Sequence, residues 1–167
     1  MGIIGRLEPV KRVDIFLNMA AILIQQQPDK WHFHVIGDGK LKDQLKDYSN
    51  NLDISQHVTY HGHRKDIPSC IAALDAIIMC SDHEGTPMTA LEALALGTPL
   101  IAHDVGGLRE ILSEYPEQLV KQHEAETYAE YLKTCMENSS PSNQLAHVYS
   151  AQKNAAKVFI LSKTIAG

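Results

Sequence analysis

The sequence predicts an α/β fold, a Rossmann-like parallel sheet of about six strands with helices on both faces. Three observations predict it. Short apolar runs alternate with helical patterns along the chain, and glycine or proline marks many of the joins. Strand, helix and strand repeated in this order require parallel pairing through right-handed crossovers, which layer helices on both faces of one sheet. The 167 residues with 44% apolar content suit one domain with a packed core.

The first strand is expected over residues 2–7. Val13, Phe16, Leu17, Ala20 and Ile24 follow at helical spacing, with Pro28 just past the end. A second strand over 31–36 closes at Gly37-Asp38-Gly39, after which Leu41, Leu45 and Tyr48 mark an amphipathic helix. Further strands are expected over 58–60, 74–80, 100–103 and 118–121, with helical segments between them. Residues 138–143 are polar and read as a loop, and 145–167 as a helix that stops while still in pattern. The first strand starts almost at residue 1, so both ends are expected to be cut.

Several function classes are disfavoured at once. The longest apolar run, residues 19–24, is far shorter than the roughly twenty residues a spanning helix needs. Arg6 and Glu8 interrupt any secretory core, so a cytoplasmic place is expected. A formal charge of -5 does not suit a chain that coats nucleic acid, and any phosphate must be gripped locally. Three cysteines, an odd number with no close spacing along the sequence, suggest a reducing compartment, and the nine dispersed histidines suggest no metal site.

In such sheets ligands bind beyond the carboxyl ends of the strands, so the loops there carry the chemistry. Gly5-Arg6-Leu7 and Lys11 put two cations on the first loop, one able to fork onto phosphate oxygens and one acting as a point charge. Gly37 and Gly39 could let the backbone approach a phosphate. Lys42 stands where the dinucleotide fingerprint needs a third glycine, which disfavours a nicotinamide site.

The fourth strand runs into Glu84, Gly85, Thr86, Pro87, Met88 and Thr89. Thr86 is expected as an N-cap, Pro87 as the first helical residue and Gly97 as the left-handed exit before Pro99. The unpaired N–H groups at such a helix start attract an anion. Glu84 precedes the helix and Glu92 lies roughly 7–8 Å further along it. The pair could therefore accept hydrogen bonds from hydroxyls on either side of a diphosphate. Sharing a face with Met88, Leu91 and Ala95, Glu92 is expected to turn toward the sheet.

On these residues the chain resembles the retaining GT-B glycosyltransferases of family 4. Their two glutamates with seven residues between them match Glu84 and Glu92, inside a block that looks like EGTPMTALEALALGTPLIAHDVGG. Gly-Arg-Leu followed by Lys matches Gly5, Arg6, Leu7 and Lys11, and VIGDG matches residues 35–39. The resemblance covers residues 2 to about 120.

What the resemblance implies is a single donor-binding domain over residues 1–167, the carboxyl-terminal half of a two-domain enzyme whose amino-terminal acceptor domain is missing. Arg6, Lys11 and Glu84 would be catalytic, the cations on the diphosphate and Glu84 on the donor sugar. Glu92 would hold the ribose, and Gly5, Gly37 and Gly85 through Thr89 would complete the pocket. His63 and Arg64 lie on the loop that would receive the base. The donor would be a UDP-, GDP- or ADP-linked sugar, with no metal or other cofactor. Membrane contact, at the inner face, would come only through the absent domain. The isolated chain would bind nucleotide but transfer negligible sugar. The alternatives are a GT-B nucleotide-sugar epimerase domain, which would need acid/base groups with no evident place here, and a non-catalytic nucleotide- or partner-binding module.

Overall fold

The computed structural model describes residues 1–138. Apart from Asn138, the polar 138–143 stretch and the helix expected over 145–167 lie outside the described residues.

Six strands form one parallel sheet: β1 (Gly2–Ile4), β2 (Phe33–Ile36), β3 (Val58–Gly62), β4 (Ile77–Met79), β5 (Leu100–His103) and β6 (Leu119–Val120). Their order across the sheet is β3-β2-β1-β4-β5-β6. The helices are α1 (Val13–Gln26), α2 (Lys42–Asn51), α3 (Ile67–Ala72), α4 (Met88–Leu96), α5 (Gly106–Ile111) and α6 (Ala125–Asn138).

Strand alternation splits the core in two. Ile3, Phe33, Val35 and Ile78 face α1 and α6, where Phe16 meets Phe33 edge to face at 5.7 Å. Ile4, Ile36, Ile77 and Met79 face the other way, onto α3, α4 and α5. Burial on both sides is what makes these strands near-continuous apolar runs. Among the described residues, no helix is long and apolar enough to cross a membrane.

The six expected strands are present, β5 with the expected ends and the other five with shifted ones. β1 stops at Ile4 rather than residue 7. The chain beyond it still follows β2, because Gly5 N–H donates to the Ile36 carbonyl and Leu7 N–H to that of Asp38, both at 3.0 Å. β2 begins at Phe33, and β3 runs two residues longer than expected. β4 starts at Ile77, because Leu74 N–H is taken by the Ile71 carbonyl at the end of α3. β6 is short, because a 3₁₀ turn occupies Pro116–Gln118.

Two glycines let neighbouring loops touch. Gly37 has φ 143°, and a Cβ there would lie 1.8 Å from the Gly5 carbonyl oxygen. Gly106 has φ 48°, and its Cβ would lie 2.0 Å from the Glu84 carbonyl oxygen. Backbone stands where the side chain would go, so neither contact can relax by moving a rotamer. Gly37→Ala and Gly106→Ala are each expected to lower stability by about 2 kcal/mol or more. Gly85→Ala, with nothing within 4 Å of the new Cβ, should be close to neutral. Urea denaturation of the three variants checks the contrast.

At the β2–β3 edge, His34 Nδ1 and His61 Nε2 share a hydrogen bond at 2.9 Å. Burial, together with the nearby amino terminus, His32 and His61, lowers the His34 pKa to about 4, against a smaller opposing effect of Asp75. The folded state therefore keeps His34 neutral where the unfolded chain takes up a proton. The stability due to this group is complete above pH 6.5 and is lost as pH falls toward about 4. His34→Gln should flatten the acid slope of the denaturation midpoint between pH 6.5 and 4.

Candidate functional site

Strand order reverses between β1 and β4, so the loop after β1 and the loop after β4 diverge to opposite sides and open a crevice at the carboxyl edge. The first loop ends in a 3₁₀ turn, Pro9–Lys11, which brings Lys11 back toward β4. Lys11 Nζ donates to Glu84 Oε1 at 2.6 Å. Ser81 Oγ donates to the same oxygen at 2.6 Å. Glu84 is only 8% exposed, and these two donors replace the water it has lost.

Arg12 adds a second link. It adopts the left-handed conformation (φ 47°, ψ 47°) at the N-cap of α1. Its Nε and Nη2 grip Asp14, and its Nη1 reaches Asp82 Oδ1 at 3.2 Å. The hydrogen bonds to Asp14, then the one to Asp82, raise the guanidinium pKa further. Asp82 N–H donates to the Val10 carbonyl at 2.8 Å, so the two loops are joined through main chain as well as side chains. Arg6 lies on the same loop, exposed and without an ion-pair partner among the described residues.

Helix α4 corrects two expectations. Pro87, not Thr86, is the N-cap (φ -78°, ψ 89°), the helix begins at Met88, and no side-chain cap forms. The reason is the hydrogen-bond ladder: Ala90 and Leu91 N–H both donate to the Pro87 carbonyl, at 2.9 and 3.3 Å. That leaves the N–H groups of Met88 and Thr89 at the open end. Gly97 ends the helix in the left-handed conformation, φ 75°, as expected.

The second correction is the facing of Glu92. Ala90, Leu91, Ala93 and Leu94 are the buried positions, while Met88 is 59% exposed and Glu92 and Ala95 are half-buried. Glu92 therefore stands on the outer side with Met88, not against the sheet. Apolar residues surround most of this helix, so its periodicity could not orient it.

The Gly37-Asp38-Gly39 turn follows β2 at the same edge. Asp38 Oδ1 accepts Gly39 N–H at 2.8 Å and Oδ2 accepts Lys42 Nζ at 2.9 Å. Lys42, which interrupts the dinucleotide fingerprint, thus holds the turn and keeps the Asp38 carboxyl below its ordinary range. Gly37 N–H donates to the Gly62 carbonyl at 2.9 Å, linking this turn to the loop of His63 and Arg64. Both side chains there are exposed, and Arg64 forks onto Asp66 at 2.9 and 2.6 Å.

Sequence reasoning missed Ser81, Arg12 and Asp82. Ser81 stands three residues before Glu84 and could have been paired with it. Arg12 had no signal, since a non-glycine left-handed residue is not visible in composition. Among the described residues no three His, Cys, Asp or Glu side chains group in a way that could hold a metal ion.

A doubly wound sheet with charged loops and a helix start at its reversal defines an α/β domain of the kind that binds ligands at that crevice. The chain belongs to the group 1 glycosyl transferases, whose family pattern matches residues 1–156. It is 34% identical over 107 residues to the UDP-Gal:α-D-GlcNAc-diphosphoundecaprenol α-1,3-galactosyltransferase of Escherichia coli, covering 62% of this chain and 27% of that enzyme. Over 117 residues it is 34% identical to the lipopolysaccharide 1,6-galactosyltransferase of Salmonella typhimurium, covering 65% and 31%. It superimposes on Anabaena HepE, crystallised with UDP-glucose, with a TM-score of 0.81 at 26% identity, covering 99% of this chain and 46% of that one. The C-terminal domain of a Francisella tularensis group 1 transferase, LpcC, shares the fold, with a TM-score of 0.74 at 24% identity, covering 96% and 83%. The chain thus spans under a third of the two enteric enzymes and under half of HepE.

Removing Lys11 strands the Glu84 carboxylate with one donor. Lys11→Ala is expected to cost roughly 1–3 kcal/mol, below the 3–5 of a fully buried pair because the lysine side chain is 25% exposed. In a double-mutant cycle, Lys11→Ala with Glu84→Gln should cost clearly less than the sum of the two single changes. Additive losses would show that the pair is uncoupled.

Proposed function

We propose that this chain is the donor-binding domain of a retaining family 4 glycosyltransferase, and that it holds a nucleoside-diphosphate sugar in the crevice between the β1 and β4 loops. The observation that carries this reading is the Lys11–Glu84 contact across the reversal of strand order. The acceptor would bind a second domain not contained in residues 1–167, and the reaction would be cytoplasmic.

In this reading, departure of the nucleoside diphosphate concentrates negative charge on its oxygens. Arg6, Lys11 and the open N–H groups at the start of α4 meet that charge and lower the barrier, and losing one such donor typically costs about 3 kcal/mol. No divalent ion is required. An ammonium has three N–H donors, so Lys11 can keep Glu84 and still offer two to phosphate. Both hydrogen bonds to Glu84 fall on Oε1, which leaves Oε2 for a hydroxyl of the donor sugar. Glu92, half-buried beside the exposed Met88, is open to the ribose hydroxyls. Gly5, Gly37 and Gly85, with Thr86, Pro87, Met88 and Thr89, supply backbone around the phosphates and sugar. The loop of His63 and Arg64 receives the base. The likeness to HepE, crystallised with UDP-glucose, supports uracil over the other bases.

Isothermal titration of UDP and of uridine tests the assignment. Arg6→Ala or Lys11→Ala should weaken UDP about tenfold or more and leave uridine nearly unchanged. Equal loss for both ligands removes the phosphate role. The chain alone should transfer negligible sugar, and robust transfer would refute its being one half of the enzyme.

A further inference from the structure

Behind the Lys11–Glu84 pair lies a second cluster that the donor-site reading does not use. Pairing of β4 with β5 ends at Met79–Ala102, so the carbonyls of Cys80 and Ser81 lie past the ladder. Two imidazoles reach them. His103, at the end of β5, places Nδ1 2.9 Å from the Ser81 carbonyl oxygen. His123, between β6 and α6, places Nε2 2.6 Å from the Cys80 carbonyl oxygen. The rings stack with centroids 3.7 Å apart and planes 21° from parallel.

We infer that His103 and His123 are positioning residues, a stacked brace whose two N–H donors fix the end of β4 and so hold Ser81 and Glu84 in register with Lys11. A carbonyl oxygen only accepts, so each ring must carry its proton on the nitrogen facing it: Nδ1–H on His103 and Nε2–H on His123. Burial first, then the neighbouring His103, lowers the His123 pKa, so that ring is neutral at ordinary pH. Its other nitrogen faces Asp82 Oδ1 at 3.4 Å, a carboxylate already engaged by Arg12 at 3.2 Å. Residues 80–82 are therefore held from one side by the histidines and from the other by Val10 and Arg12. From this stretch Ser81 Oγ reaches Glu84, and a catalytic carboxylate displaced by about an ångström loses much of its effect.

Only the nucleotide arm of the test rests on the proposed donor site. His103→Asn and His123→Gln keep an N–H near the original nitrogen, while His103→Phe and His123→Phe keep the ring and lose the donor. The Phe variants should bind UDP at least fivefold more weakly, and the Asn and Gln variants should stay within twofold of the parent. Nitrogen-15 spectra of the parent imidazoles should show His103 as the Nδ1–H tautomer, the minor form in free histidine, and His123 as Nε2–H. Protection of the Gly107 amide, which donates to the Glu84 carbonyl at 3.1 Å, should drop about tenfold in the Phe variants and persist in the Asn and Gln variants.

The opposite tautomer on either ring, or Asn and Gln variants as impaired as the Phe variants at equal unfolding midpoints, would overturn the brace. If the parent binds no UDP, the donor reading fails, while tautomers and amide protection still decide the brace. Should a Phe variant not fold, the parent tautomers and the Asn and Gln variants decide it.

Discussion

A carboxylate withdrawn from water must find donors, and at Glu84 that requirement ties the crevice together. Lys11 comes from the loop after β1, Ser81 from the end of β4, and both converge on one oxygen. The sheet sets the two loops apart by reversing its strand order, and the ion pair bridges them. The 3₁₀ turn, the left-handed Arg12 and the Asp82 N–H bond to Val10 all serve the same bridge.

The bridge also explains how a net-acidic chain can present a surface suited to an anion. Three cations occupy the first loop, and two of them are partly neutralised: Lys11 by Glu84, Arg12 by Asp14 and Asp82. Arg6 keeps its charge for solvent. The first loop is therefore polarised, with an exposed cation that is unpaired among the described residues and a balanced, less exposed pair. The half-buried Glu92 stands further along α4, past a helix end whose first N–H groups are free of intrahelical bonds.

Much of this was legible in the sequence, because α/β patterning is written twice. Apolar strand runs and helical spacing both announce it, and Gly97 with Pro99 gave the exit of α4 correctly. Lys11 and Glu84 could be placed on loops at one edge of the sheet, though their direct contact could not be read, since it joins positions 73 residues apart. Local rules failed where the competing signal was tertiary. Thr86 looked like a cap, yet the ladder begins at Pro87. Glu92 looked inward, because a helix apolar on most sides carries no phase. The histidines at 103 and 123 look dispersed along the chain, and only folding stacks them.

The contact of Gly106 with the Glu84 backbone, and of Gly37 with that of Gly5, has a mechanical consequence. Loops that meet through main chain alone have no compliant layer between them, so each touching pair shifts together rather than as separate fingers. The four segments can therefore accept change in their outward side chains far more readily than in their backbone path.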